Sequence, residues 1–221
     1  MKLIINALTK FIIGFVFISA LLFIPAGTFS YPHAYLFMAV LFIPVIIMGI
    51  VLFLKAPALL EKRLKEKESE GAQKLVVALS GLMFVSTFVV SGLDFRFSIT
   101  TVPTWCVILS AVLFLIGYAL FAEVMRENAY LSRTVEVQEE QTVVSTGLYG
   151  VVRHPMYLAT LLMFIPMPLI LGSFLGLIPL LAYPAIIVTR IVNEEKLLTK
   201  ELNGYSEYKN KTRYRLIPFI W

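Results

Sequence analysis

Long apolar runs alternate with short polar segments along the chain, and this pattern predicts a protein that crosses a membrane several times. Four runs come close to the roughly 20 residues that a helix needs to span a bilayer. They are 11–29, 35–54, 75–92 and 105–122, and a longer apolar block follows at 157–189. Backbone N–H and C=O groups must be paired within the protein in hydrocarbon, so we expect helices. The predicted fold class is all-α, with five to six membrane helices.

The block 157–189 predicts a kinked helical hairpin. It contains four prolines and a central Gly172-Ser173. A single helix of this length would extend about 50 Å, well beyond a hydrocarbon core of about 30 Å. One long tilted helix is the alternative, but it would place the C-terminal charges on the opposite face from the others. We therefore expect the hairpin to enter and leave on one face. The sequence leaves open whether it crosses completely.

Composition and charge agree with this picture and orient it. The chain is 59% hydrophobic and 15% charged, whereas soluble domains average about 45–50% and about 25%. The segments 1–10, 55–74, 123–156 and 190–221 hold 18 of the 19 Lys and Arg residues. By the positive-inside rule we expect these segments, and both termini, in the cytoplasm. The segments 30–34 and 93–104 should then face outside.

Several other features narrow the possible classes. The first apolar run could be a cleaved signal peptide, but further spans follow directly and favour an uncleaved anchor. One cysteine, Cys106, and two histidines make a Cys/His metal site improbable, and no metal is expected. In the charged run 61–68, basic residues alternate with acids, so we expect a solvated helical connector near anionic lipid. The same alternation argues against nucleic-acid binding.

Two polar clusters, 146–157 and 190–195, flank the predicted hairpin and should therefore meet in space. Arg190 and Glu194 are four residues apart, which places them on one helix face. Pro155 should hold His154 outside the helical conformation. Gly147 and Gly150 bracket Tyr149 and would allow the backbone to approach a ligand closely.

Each of these residues has a simpler interpretation when taken alone. His154 could be a hydrogen-bonded structural residue, and Tyr149 and Tyr157 could be aromatics of the membrane interface. Arg190 could be a snorkelling anchor, and Glu194-Glu195 a pair on a helix surface. Their conjunction around one hairpin favours a functional site.

At these residues the sequence resembles the isoprenylcysteine carboxyl methyltransferase family, within a wider group that includes the phospholipid N-methyltransferases. The pattern comprises Thr146-Gly147, Tyr149, Arg153-His154-Pro155, Tyr157, Arg190, Glu194-Glu195, Gly204-Tyr205, Tyr208 and Ile217-Pro218. The resemblance covers roughly residues 134–221, and the first 120 residues match only as generic spanning helices. It divides the chain into four N-terminal helices, 1–122, and a methyltransferase core, 123–221.

The resemblance implies an S-adenosylmethionine-dependent methyltransferase whose cofactor lies near the cytosol. The cofactor-binding residues it implies are Gln141, Thr142, Val143, Val144, Tyr149, His154, Pro155, Met156, Tyr157 and Glu194. It places Arg190 on the substrate side, and Arg190 and Glu194 are the expected catalytic residues. The expected acceptor is a lipophilic or lipidated molecule from the membrane, first of all the carboxylate of an isoprenylcysteine-like compound. Other carboxylates, thiols, amines and phospholipids stay open, as does the oligomeric state.

Two other classes of protein are alternatives. The membrane sterol reductases, which use NADPH, share an R-H-P-x-Y-like element and a final Y-x-x-Y. The acidic pair Glu194-Glu195 favours the methyltransferase over them. A transporter or structural membrane protein would place ionisable residues in mid-span, and the predicted spans contain none.

Overall fold

The computed structural model describes residues 2–64, 71–131 and 137–221, and in these ranges it is helical, with no strand. The part of the predicted connector at 65–68, and residues 134–136 at the start of the family resemblance, lie outside them. The helices are α1 (Lys2–Ala26), α2 (Pro32–Lys55), α3 (Pro57–Leu64), α4 (Gly71–Phe97), α5 (Thr104–Glu127), α6 (Pro155–Phe164), α7 (Met167–Ile170), α8 (Leu177–Leu180), α9 (Tyr183–Glu201) and α10 (Tyr205–Lys211). A short 3₁₀ turn spans Gly147–Gly150. The predicted all-α class is confirmed.

Among the residues that the structure describes, five helical segments are long and apolar enough to cross a membrane, which confirms a multi-pass membrane protein. They are α1, α2, α4, α5 and the combined α8–α9 segment Leu177–Glu201. The segment Pro155–Ile170, which contains α6 and α7, is apolar but shorter. Large apolar side chains stay exposed along these helices, for example Ile13 and Leu82 at 62% and 65%. Such exposure is expected where lipid, not water, surrounds the helix.

The block 157–189 is a hairpin, so the alternative of one long helix is wrong. Its first arm, α6–α7, ends at Gly172, whose φ of 77° lies in the left-handed region that glycine adopts without strain. At the tip, the Tyr31 hydroxyl donates to the Leu171 carbonyl at 2.6 Å, and the Phe174 N–H donates to Thr100 Oγ1 at 3.1 Å. Because Tyr31 and Thr100 lie in the α1–α2 and α4–α5 connections, the hairpin reaches that end of the bundle.

Asp94 fixes the hairpin tip from the last turn of α4. Its side chain is buried, with 1% exposed, and it accepts hydrogen bonds from the Thr100 N–H at 2.7 Å and from the Ser173 hydroxyl at 2.5 Å. A buried carboxylate is tolerated only when hydrogen bonds replace its hydration. Asp94 therefore holds the tip of the hairpin against the α4–α5 connection.

Two glycines let pairs of helices approach at backbone distance. A Cβ atom on Gly117 of α5 would lie 2.9 Å from the Ala159 carbonyl oxygen of α6. One on Gly92 of α4 would lie 2.8 Å from the Leu22 carbonyl oxygen of α1. Small residues commonly serve this purpose in membrane helix packing. The close α5–α6 contact brings the end of α5 next to the segment that precedes α6, where the polar cleft lies.

Candidate functional site

A polar cleft lies at the end of the bundle opposite the hairpin tip, between the end of α5, the start of α6, the second half of α9 and α10. Ten of the eleven residues predicted for the site line it: Gln141, Thr142, Val143, Val144, Tyr149, His154, Met156, Tyr157, Arg190 and Glu194. The eleventh, Pro155, is buried at the first position of α6 and does not line the cleft. The two polar clusters that flank the hairpin thus meet around one cleft.

Arg190, Tyr157 and Glu194 form a continuous hydrogen-bonded chain in this cleft. Arg190 Nε donates to the Tyr157 hydroxyl at 2.9 Å, and the Tyr157 hydroxyl donates to Glu194 Oε2 at 2.5 Å. The four-residue helical spacing puts Arg190 and Glu194 on one face of α9. Tyr157 comes from the first turn of α6. These hydrogen bonds therefore link the two arms of the hairpin through polar side chains.

Glu195 lies on the other side of α9 from this chain and is almost completely buried, with 4% exposed. It accepts hydrogen bonds from Arg153 Nε at 2.6 Å and Arg215 Nε at 2.9 Å, and His154 Nε2 lies 3.3 Å away. A position on the helix surface, the simpler interpretation of the Glu194-Glu195 pair, is therefore wrong for Glu195. Its carboxylate joins α9 to the segment before α6 and to the C-terminal segment.

Arg153 extends the same network to the backbone near the C-terminus. Its Nη1 donates to the carbonyls of Thr212 at 2.8 Å and Arg213 at 2.9 Å. The backbone N–H groups of Arg153 and His154 donate to the carbonyls of Tyr214 and Arg215, both at 2.9 Å. His154 itself has φ of −126° and ψ of 60°, outside the helical region, as the following proline predicts. These hydrogen bonds attach the C-terminal segment to the residues directly before α6.

The 3₁₀ turn before α6 presents Tyr149 to the cleft. Asn128 Nδ2 donates to the Tyr149 hydroxyl at 2.9 Å, and the Tyr208 hydroxyl donates to the Tyr149 carbonyl at 2.7 Å. Gly147 has φ of 50°, and the Leu148 N–H donates to Glu127 Oε2 at 3.0 Å. A Cβ atom on Gly147 would overlap the Glu127 carboxylate. The space beside Gly147, which the sequence suggests could admit a ligand, is thus occupied by a side chain of the protein.

Eight further residues line the cleft without being among the predicted site residues: Asn128, Tyr130, Leu131, Arg153, Leu198, Leu202, Tyr205 and Tyr208. Arg153, Tyr205 and Tyr208 belong to the recognised sequence pattern, so the pattern contained the signal for them. Asn128 is the residue directly after α5. In the sequence, only its position as a polar residue at the end of a spanning helix could have indicated Asn128 as a site residue. Its contact with Tyr149, 21 positions away, could not be predicted from spacing.

Tyr149, Tyr205 and Tyr208 stay protonated at neutral pH. Burial raises the pKa of Tyr208 to about 12 and raises the pKa of Tyr149 and Tyr205 further above the usual range. The Tyr205 hydroxyl is buried and has no hydrogen-bond partner among the described residues. A buried polar atom without a partner requires an explanation, and a polar ligand in the cleft would supply the missing partner.

A bundle of membrane helices with a polar cleft at one end defines a class of membrane protein that can hold a polar ligand beside lipid. Residues 105–204 match the model of the phospholipid methyltransferase family. The match confirms the predicted resemblance to the group of membrane methyltransferases. It begins in α5, ends directly before α10 and includes the hairpin, so it contains most of the residues that line the cleft. The match supports the interpretation of this protein as a membrane methyltransferase.

The chain is also similar to the Delta(14)-sterol reductase TM7SF2 of Mus musculus. The two are 30% identical over 91 residues, which is 40% of this chain and 22% of the reductase. This chain therefore matches less than a quarter of the length of that relative. Such a similarity is expected, because the membrane sterol reductases share an R-H-P-x-Y-like element and a final Y-x-x-Y with this sequence.

Proposed function

We propose that this protein is an S-adenosylmethionine-dependent integral membrane methyltransferase that acts on a lipophilic acceptor. The observation that carries the proposal is the Arg190–Tyr157–Glu194 chain inside the cleft. Arg190 lies one helical turn closer to the hairpin tip than Glu194, and so closer to the membrane interior. A polar cofactor from the water side and an apolar acceptor from the lipid could therefore meet along one face of α9.

The residues of the cleft suit the chemical groups of the cofactor. When bound, S-adenosylmethionine supplies a methyl group on a positively charged sulfur. Glu194 would accept hydrogen bonds from its amino or hydroxyl groups, and the Tyr205 hydroxyl would gain the partner that it lacks within the described protein. The cleft has a volume of about 100 Å³, whereas small-molecule sites commonly have about 300–1,000 Å³. We therefore expect part of the cofactor to extend beyond the cleft or to shift side chains that line it.

Methyl transfer requires alignment more than proton chemistry, and the site supplies groups for alignment. Holding two reactants in line can contribute about 7–11 kcal/mol. Arg190 would orient an acceptor carboxylate or phosphate through its paired N–H donors. The Tyr157 hydroxyl would keep Arg190 and Glu194 at a fixed separation. A carboxylate acceptor needs no general base, whereas an amine or thiol acceptor must lose a proton.

The acceptor we propose first is the carboxylate of an isoprenylcysteine-like compound, because a guanidinium at the membrane side of the cleft suits an anionic group on an apolar chain. A phospholipid headgroup, the acceptor class named by the matching family, is the second candidate. Incubation of purified protein with methyl-labelled S-adenosylmethionine and total lipid extract, followed by mass spectrometry, identifies the acceptor. A label that appears only on water-soluble compounds would contradict a lipophilic acceptor.

Two substitutions test the roles of the charged residues. Glu194→Ala should weaken binding of S-adenosylhomocysteine by about 10- to 100-fold, the value of a hydrogen bond to a charged group. Arg190→Ala should keep that binding but lower turnover. Glu201→Ala, at the exposed end of the same helix, is the matched control and should change neither. Normal cofactor binding and turnover in Glu194→Ala would refute the assignment.

A sterol-type reductase that uses NADPH is the second candidate, and the similarity to the mouse reductase favours it. The charges of the cleft argue against it. Of the described residues that line the cleft, Arg153 and Arg190 carry positive charge, and Arg153 is already paired with Glu195. Stabilisation by S-adenosylhomocysteine but not by NADPH in a thermal shift assay would support the methyltransferase. The reverse would support the reductase, and no shift with either would favour a non-enzymatic membrane protein.

A further inference from the structure

A second cavity, separate from the polar cleft, lies between α1, α2, α3 and α5. It is a groove of about 730 Å³ with walls that are mostly aliphatic and aromatic. Its size falls within the range of about 300–1,000 Å³ that small-molecule sites occupy. The three long helices form its walls, with lining residues such as Phe11 of α1, Ile46 of α2 and Phe121 of α5.

Two glycines on facing helices keep this groove wide. Gly14 of α1 and Gly49 of α2 both line it. A Cβ atom built on either glycine would have no heavy atom of the described residues within 4 Å. At Gly92 and Gly117, by contrast, the missing side chain allows another helix to approach. The space beside Gly14 and Gly49 is therefore not used for contact between helices.

Two cationic side chains lie in the same groove. Lys10 of α1 and Arg63 of α3 line it together with the Tyr118 side chain. Lys10 Nζ donates to the Leu64 carbonyl, and the Arg63 guanidinium lies 5.2 Å from the centre of the Phe121 ring. The apolar walls are complementary to a hydrocarbon chain, and the two positive charges are complementary to an anionic headgroup. Together they suit an amphiphile with an anionic head.

The cationic side chains of the groove lie toward the same end of the bundle as the polar cleft. Lys62, the neighbour of Arg63, donates to the Ala129 carbonyl at 3.4 Å and lies 5.7 Å from the centre of the Tyr130 ring. Tyr130 lines the cleft. Phospholipid headgroups occupy the corresponding level of a bilayer, whereas their acyl chains extend toward its centre.

We propose that this groove binds an anionic phospholipid from the bilayer. Its phosphate would lie near Lys10 and Arg63, and an acyl chain would follow the apolar walls past Gly14 and Gly49. Basic pockets between membrane helices recognise acidic headgroups in this way. Charge complementarity selects an anionic lipid over a zwitterionic one, because two cations then face a net negative charge. The proposal does not depend on the methyltransferase activity.

An apolar layer separates the groove from the cleft, so the two sites can be tested independently. Leu60 and Met125 line the groove, and Leu131 and Tyr149 line the cleft. All four residues are buried in one cluster. A substitution on the groove side should therefore leave binding of S-adenosylhomocysteine unchanged.

The experiment measures lipid retention by the full chain. The protein is equilibrated in micelles that contain phosphatidylglycerol and phosphatidylcholine with identical acyl chains, and native mass spectrometry counts the lipids that remain bound. We expect phosphatidylglycerol to be retained preferentially. Gly14→Leu and Gly49→Leu should abolish this retention by filling the groove. Gly81→Leu is the matched control and should retain lipid normally. A Cβ on Gly81 also meets no atom of the described residues within 4 Å, but Gly81 does not line the groove.

Charge variants test the headgroup. Lys10→Gln and Arg63→Gln should each reduce the preference for phosphatidylglycerol about fivefold, the effect of one basic residue near an anionic lipid. Equal retention of the two lipids by the natural chain would overturn the proposal. So would unchanged retention in both glycine variants, or an equal loss in Gly81→Leu. If a charge variant does not fold, the glycine variants decide, since a Cβ atom at Gly14 or Gly49 has no atom of the described residues within 4 Å.

Discussion

At the scale of single residues, neighbouring acidic side chains on α9 have opposite environments. The Glu194 side chain is 22% exposed and borders the cleft, whereas the Glu195 side chain is 5% exposed and paired with Arg153 and Arg215. Successive residues of a helix point about 100° apart, so an adjacent pair cannot share one environment. We infer that Glu195 stabilises the site region, whereas Glu194 is available to a ligand.

Glu195→Ala should destabilise the protein strongly, because it leaves Arg153 buried without its carboxylate partner. Removing one member of a buried ion pair costs about 3–5 kcal/mol. A fall in the midpoint of thermal unfolding in detergent measures this loss. Glu194→Ala is the control and should lower the midpoint much less. An equal shift for both variants would contradict the distinction between the two carboxylates.

Tyr157→Phe should lower turnover while the protein stays folded. The substitution keeps the buried ring but removes the hydroxyl that contacts both Arg190 and Glu194. Loss of hydrogen bonds to charged groups predicts a decrease of about tenfold or more. Steady-state assays with the identified acceptor measure it, and Tyr214→Phe, outside the cleft, is the control. Unchanged turnover in Tyr157→Phe would show that the hydroxyl does not position the two charged residues.

At the scale of elements, the spanning helices could be predicted because hydropathy is a local property of the sequence. The apolar runs 11–29, 35–54, 75–92 and 105–122 fall almost wholly within α1, α2, α4 and α5. The hairpin could also be predicted, since its prolines and Gly172 interrupt an apolar block too long for one crossing. A hairpin places Arg190 and Glu194, which follow it, beside Tyr157, which begins it.

Contacts between distant elements could not be predicted in the same way. The depth of the hairpin depends on Tyr31, Asp94 and Thr100, which lie far from it in sequence. The Glu127 carboxylate beside Gly147 and the Asn128 amide beside Tyr149 both depend on the packing of α5 against α6. Periodicity and spacing contain no information about these pairs.

The 3₁₀ turn before α6 should be sensitive to a single methyl group at Gly147. Gly147→Ala would place Cβ against the Glu127 carboxylate and would force an L-residue to adopt φ of 50°, a conformation that costs about 1–2 kcal/mol. We expect weaker binding of S-adenosylhomocysteine, because Tyr149 moves with the turn. Gly150→Ala is the control, since its Cβ would lie 3.4 Å from the Ser145 carbonyl oxygen. Equal binding by both variants would show that the turn does not shape the site.

At the scale of the whole molecule, the bundle has two chemically distinct ends. One carries the cleft, the Glu195 network and α10, with most of the basic residues. The other carries the hairpin tip, held by Asp94 and Tyr31. Because the hairpin joins these ends and returns, the segments before and after it meet at the cleft. The proposed site would use this arrangement to bring a water-soluble donor and a lipid-borne acceptor together.

The charge difference between the two ends predicts that the cleft faces the cytoplasm. The chain contains one cysteine, Cys106, so Cys106→Ala provides a background without thiols. In that background Thr101→Cys marks the end with the hairpin tip, and Ser206→Cys in α10 marks the end with the cleft. Both positions are exposed. A maleimide that cannot cross membranes should label Thr101→Cys in intact cells, but Ser206→Cys only after permeabilisation. Labelling of Ser206→Cys in intact cells would place the cleft outside, where cytosolic S-adenosylmethionine could not reach it.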